Sequence, residues 1–352
     1  MKYSQLSFIF ILFTTHILAY SDSVYNKLVE TANYAKISYC TINPLFNNGP
    51  LAEECPDTSF CTRSKASNAK IVSVIKPAFT KGAISGDSYV AVNDDIKQVF
   101  VGFRGTLSLG DVITDISALQ CPYIPILSNN INKKDFESNS SDPNTLKDSI
   151  INKSTNKVEC PDCFVHCGIY SAFAQNIQEV VSAAVPYLDQ GYNLTVTGHS
   201  LGGAYALLGG IEFMTLGYNP LLITYASVRV GNPSFNQWVD ETLFDTDGLV
   251  DLIHSGEDLP YPSFSRVFQE TDEVPKLPFN IPGSIKYTSS GLKFVIDKVQ
   301  LPHPKNNVLF QGASNNFADD AANLTQVQPP MSEWVYQHTH QFMKFGCDDS
   351  NS

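Results

Sequence analysis

The stretch LTVTGHSLGGAYALL, Leu194 to Leu208, decides the reading of this chain. It opens with residues suited to a strand and closes with residues suited to a helix. Between them lies G-x-S-x-G, at Gly198, Ser200 and Gly202. A bare G-x-S-x-G occurs by chance as a glycine-rich turn. With a strand before it and a helix after it, it reads as a nucleophile turn: the serine stands clear of the sheet while the glycines let strand and helix backbones approach closely. The backbone N–H of Leu201 then starts the helix and can point at a developing oxyanion. His199 reads as a packed neighbour, because in this chain order the base comes last.

The flanking sequence supports the strand–helix alternation of a mainly parallel α/β sheet. Upstream, Phe173, Ile177, Val180, Val181, Ala184 and Leu188 recur at helical spacing across 169–188, and Gly191 follows. Downstream, LLITYA (221–226) is a further strand. Nearer the start, short apolar strands are expected at 71–75, 88–92 and 97–103. Residues 22–39 read as a surface helix capped by Ser21 or Asp22, with Val24, Leu28, Ala32 and Ala35 on one side. The segment 122–159 changes character. It is rich in Asn, Ser and Lys without periodicity, and reads as a polar surface insertion within a single domain spanning 21–352.

Composition narrows the function. Hydrophobic residues make up 43% of the 352, enough for a sizeable core, and the net charge is −12. That charge argues against nucleic acid or an anionic membrane as an electrostatic partner. Residues 1–20 combine Lys2, the apolar run Leu6–Leu18 and a small Ala19, the pattern of a secretory signal peptide; a buried first helix is the alternative. No later stretch reads as a transmembrane helix. Eight cysteines, an even number, suit an oxidising compartment. Sequons stand at Asn139, Asn152, Asn193 and Asn323, the third at a strand opening where burial is expected. The cluster Cys160, Cys163, His166 and Cys167 reads as disulfide partners or, alternatively, as zinc ligands.

Several blocks together resemble the secreted fungal lipases of the class 3 family, within the α/β-hydrolases. They are AKISYC near the start, VFVGFRGT (99–106), VHCGIYSAF (165–173), VTGHSLGGA (196–204) and TYASVRVGNPSF (224–235), covering most of the chain beyond residue 20. The family usually has proline where this chain has Val228. The resemblance implies an α/β-hydrolase fold with a mainly parallel sheet and helices on both faces. It implies no cofactor. It maps Ser200 to the nucleophile and Thr106, with Leu201, to the oxyanion donors. It maps LSLGDVITDI (107–116) to a lid whose apolar face would cover Ser200 in water and meet lipid at an oil–water interface; a core helix is the bland alternative.

The acid and the base also follow from the resemblance. The family pattern R-V-x-H-x-x-D-x-V-P-x-L-P matches at Arg266, Val267, Asp272, Val274, Pro275, Leu277 and Pro278, with Gln269 in the place of histidine. That assigns Asp272 ahead of Glu257 and Asp258. After Asp272 the histidines are His303, His338 and His340. The family ending H-x-x-Y-F fits His338 and Phe342, with Gln341 replacing tyrosine. His338 is therefore the expected base. His340, two residues on, shares its face on a strand but diverges by about 200° on a helix. The resemblance and the even count imply disulfides Cys40–Cys347, Cys55–Cys61, Cys160–Cys163 and Cys121–Cys167.

The expected function is secreted triacylglycerol hydrolysis through a Ser–Asp–His triad. An esterase on the same scaffold, acting on feruloyl esters or phospholipids, is the nearer rival. A non-catalytic secreted binding protein is the more distant one.

Overall fold

The computed structural model describes residues 20–43, 46–54, 68–76, 86–106, 119–127, 160–281, 283–313 and 330–347. The expected lid, Cys55, Cys61, most of the leader and insertion, and the sequons at Asn139, Asn152 and Asn323 lie outside them. The strands are β1 (Gly49–Pro50), β2 (Lys70–Ile75), β3 (Ser88–Asn93), β4 (Gln98–Phe103), β5 (Gln120–Pro122), β6 (Phe164–His166), β7 (Asn193–His199), β8 (Pro220–Tyr225), β9 (Ser263–Gln269), β10 (Leu292–Ile296) and β11 (Val308–Ala313), followed by the paired dipeptides His340–Gln341 and Met343–Lys344. The helices are α1 (Asp22–Ile37), α2 (Leu51–Glu54), α3 (Cys167–Phe173), α4 (Ile177–Leu188), α5 (Leu201–Thr215), α6 (Pro233–Trp238), α7 (Thr246–His254) and α8 (Met331–Thr339).

Among the described residues, nine strands form one sheet in the order β1-β2-β3-β4-β7-β8-β9-β10-β11. The five central strands from β4 to β10 run parallel. The outer strands pair antiparallel. This is the mainly parallel sheet of an α/β-hydrolase. Side-chain parity shows which helix lies on which face. Position Gly210 of α5 abuts Leu222, whereas the Tyr225 hydroxyl donates to the carbonyl of Leu28 in α1. Gly209 likewise abuts Phe103, while Tyr34 of α1 stacks on Phe100. Residues three apart on a strand point to opposite faces, so α1 and α5 sandwich the sheet.

Each helix has a local reason. Ser21 caps α1 by accepting from the Val24 N–H at 3.2 Å. Val24, Leu28, Ala32 and Ala35 form its packed side, all fully buried. In α5 every residue except Met214 is buried, which explains its near-continuous run of small and apolar residues.

Three expectations need correction. The helix expected over 169–188 is two helices, α3 and α4, broken at Ala174–Asn176. The Asn176 amide leaves the helical path to donate to the Gly86 carbonyl at 3.0 Å. Tyr123, Pro125 and Leu127, expected within the polar insertion, are buried, although Pro122 and Ile124 are exposed. Asn193, expected to be buried, is exposed at the start of β7.

Glu212, inside α5, explains how residues 126–127 are held. Its carboxyl accepts the N–H groups of Ile126 at 2.7 Å and Leu127 at 3.0 Å. Burial pushes its pKa up from 4.5 to about 7, against the two N–H bonds that favour the charged form. The folded carboxyl thus keeps its proton over a range where the unfolded one has lost it. Its contribution to stability is full below pH 4.5 and falls as pH rises to about 7. Comparing wild type with Glu212→Gln by urea unfolding should show that slope in wild type only, with a swing on the order of 3 kcal/mol. Parallel profiles would remove Glu212 as its source.

Candidate active site

The site gathers at the carboxyl ends of the parallel strands, where open α/β sheets place their ligand crevices. Ser200 follows β7 directly. Its backbone sits at φ 59° and ψ −130°, a left-handed conformation that costs a non-glycine residue energy. The surroundings enforce it. Ser200 N–H donates to the Tyr225 carbonyl at 2.8 Å, and Gly203 N–H to the Ser200 carbonyl at 2.9 Å. A Cβ on Gly198 would collide with the Gly202 carbonyl, and one on Gly202 with the Phe103 carbonyl. Both glycines of the motif are therefore required by backbone contact.

The β4 exit delivers Thr106. Arg104 pairs with Asp87 at 2.7 Å, and its N–H bonds to the Asp87 carbonyl at 2.9 Å, fixing the loop. A Cβ on Gly105 would lie 3.1 Å from the Ser200 Cβ. Thr106 follows Gly105 directly and is buried.

Asp272 lies three residues past β9. One oxygen accepts the Val274 N–H at 3.0 Å, and the other meets His338 Nδ1 at 2.9 Å. Both residues are buried. His338 is in the last turn of α8, and among the described residues its Nε2 has no hydrogen-bond partner. The Ser200 hydroxyl is also buried without one.

The other expected or rival residues are engaged elsewhere. His340 Nδ1 is 2.8 Å from the Tyr336 carbonyl, and its ring stacks on Tyr336 with centroids 3.9 Å apart. His303 accepts the Phe342 N–H at 3.1 Å. Asp258 pairs with Lys27 at 2.9 Å. Disulfides join Cys40 to Cys347, Cys121 to Cys167 and Cys160 to Cys163. The three thiols that a zinc reading needs are therefore bonded to sulfur, and His166 Nδ1 caps α3 by accepting from the Ile169 N–H.

The sequence did not single out the residues that hold the His338 segment. Gln341, in the tyrosine position, donates to the carbonyls of Gln337 at 2.6 Å and His338 at 2.8 Å. Gln269, in the histidine position, donates to the His340 carbonyl. His199 Nε2 lies 2.7 Å from the His338 carbonyl, and its Nδ1 lies 2.5 Å from the Tyr39 hydroxyl. Burial holds the His199 pKa well below its ordinary value, with repulsion from His338 adding to the effect. A cavity of about 330 Å³ includes Asp272, with Arg229, Arg266 and Lys293 among its walls. Ser200, His338 and Thr106 are not among its lining residues.

Comparison with known proteins bears on the family. The family described as Lipase (class 3) matches residues 100–281, more than half of the chain. The candidate lipase LIH1 of Saccharomyces cerevisiae is 27% identical over 340 residues, spanning 92% of this chain and 94% of that protein. Secreted mono- and diacylglycerol lipase 2 of Gibberella zeae is 28% identical over 276 residues, covering 70% of this chain and 60% of that protein. Among solved structures, nonglycosylated LIP2 lipase of Yarrowia lipolytica superposes with a TM-score of 0.61 at 27% identity, covering 92% of this chain and 95% of that one. The chain belongs to the class 3 lipase family and is a carboxylic ester hydrolase.

Proposed function

We propose that this lipase hydrolyses water-insoluble acylglycerols through an acyl-enzyme on Ser200, with His338 as general base and Asp272 orienting it. The observation that carries the reading is the 2.9 Å Asp272–His338 contact, together with Ser200 Oγ and His338 Nε2, both buried without hydrogen bonds among the described residues. Leaving a buried polar group unpaired costs about 1–3 kcal/mol, a cost native sites bear where chemistry uses the group.

The roles follow. Asp272 accepts from Nδ1–H, which leaves Nε2 with its lone pair. Nε2 takes the Ser200 proton as Oγ attacks the ester carbonyl. The oxyanion receives the backbone N–H groups of Leu201 and Thr106. His338 then returns the proton to the leaving alcohol, and water clears the acyl-enzyme by the same steps. No step calls for a metal or cofactor.

The substrate class rests on family membership and on the apolar side of residues 107–116, which we take to be the lid. Secretion rests on the signal-like residues 1–20 and on the disulfides, and is supported by similarity to a relative named as secreted. Tyr20 is buried against Phe294, which favours cleavage after Ala19. Among the described residues no helix is long and apolar enough to cross a membrane.

The test compares a long-chain triacylglycerol emulsion with a soluble short-chain ester. Higher turnover on the emulsion, rising as oil surface is added, is expected. A preference for soluble, feruloyl or phospholipid esters with no response to oil would replace the acylglycerol reading.

A further inference from the structure

The imidazole of His199, the residue before Ser200, lies against that of His338, with centroids 4.8 Å apart. A neutral ring has one N–H and one lone pair. The His338 carbonyl can only accept, so the N–H is on Nε2 and donates to it at 2.7 Å. Nδ1 must then accept from the Tyr39 hydroxyl at 2.5 Å. The Tyr39 bond therefore fixes the tautomer that grips His338.

The ring is held on its face as well. Phe345 stacks on it with centroids 4.1 Å apart and planes 10° apart. Tyr39 immediately precedes Cys40, and Phe345 stands two residues before Cys347. The Cys40–Cys347 bridge thus ties together the two segments that contact the imidazole. His338 is in the last turn of α8, where carbonyls lack helical partners. Its carbonyl accepts instead from His199 and from Gln341.

We propose that His199 is a positioning residue that sets the His338 imidazole relative to Ser200. Ser200 is the next residue in the chain, so the path from nucleophile to base runs through one peptide unit and one hydrogen bond. The effect falls on turnover, because misplacement of reacting groups by about 1 Å costs on the order of 100-fold in rate. Substrate binding, which His199 does not touch, is left unchanged. The inference rests on the triad reading above.

His199→Phe tests it by keeping the stack on Phe345 while removing both hydrogen bonds. His199→Gln restores a donor near the position of Nε2. On a soluble short-chain ester, His199→Phe should lower kcat by about 10- to 100-fold at unchanged KM, and His199→Gln should recover much of the loss. In a His338→Ala background, His199→Phe should cost nothing further, since its target is gone. A kcat within twofold of wild type for His199→Phe would overturn the proposal, as would an equal further loss in the His338→Ala background. Should His199→Phe fail to fold, Tyr39→Phe serves instead. It frees the tautomer and should lower kcat several-fold at unchanged KM; an unchanged kcat would again overturn the proposal. If His338→Ala itself costs nothing, it is the triad reading that fails.

Discussion

Ser200→Ala lowers kcat by about five to six orders of magnitude, the loss expected when a nucleophile acts as a unit with its base. The same change raises stability slightly. It removes a buried hydroxyl that has no hydrogen-bond partner, a group worth about 1 kcal/mol or more of unpaid desolvation. The backbone at φ 59° remains strained with alanine, whereas Ser200→Gly releases that strain too. The expected order of melting temperature is therefore glycine above alanine above serine, opposite to the order of activity. Thermal melts of the three proteins, with turnover measured on one soluble ester, check both rankings. A variant that lost activity together with stability would point to unfolding instead of a missing nucleophile.

His338→Ala has a comparable effect on turnover and the opposite effect on stability. It leaves the Asp272 carboxylate, 1% exposed, without the partner now 2.9 Å away. Leaving a buried carboxylate short of a hydrogen-bond donor costs about 1–3 kcal/mol or more. Turnover should fall by about five orders of magnitude or more. His340→Ala should keep kcat within about tenfold of wild type, since its ring packs on Tyr336 and bonds to that residue's carbonyl. Loss of activity with His340→Ala but not with His338→Ala would reassign the base. Circular dichroism on both variants separates lost chemistry from lost structure.

The fold was legible wherever one local pattern met one local need. Ser200 lies between β7 and α5 because Gly198 and Gly202 permit a backbone approach that side chains would block. Ser21 caps α1 through its own neighbours. What local pattern missed depends on distant partners. The break before α4 answers to Gly86, some ninety residues upstream. Tyr123 and Leu127 were hidden inside a polar stretch because their anchor, Glu212, lies far along the chain.

The candidate site divides in the same way. Asp272 and His338 stood out through a family pattern, although neither Gln269 nor Gln341 follows it. The two glutamines instead hold carbonyls around His338, a role that residue identity alone does not reveal. The spacing of the family ending favoured His338 over His340. The end of α8 separates the two in space, turning one ring toward Asp272 and the other onto Tyr336. His199 read as a packed neighbour, and packed it is. Both of its nitrogens are also bonded, and one of them grips the segment of the proposed base.

The most direct test of the central claim is labelling with a serine-directed alkyl phosphonate in the presence of an oil or detergent surface, followed by peptide mass mapping. A single adduct on Ser200, absent from His338→Ala, is the predicted result. An adduct on another residue, or none while the ester is still hydrolysed, would contradict it.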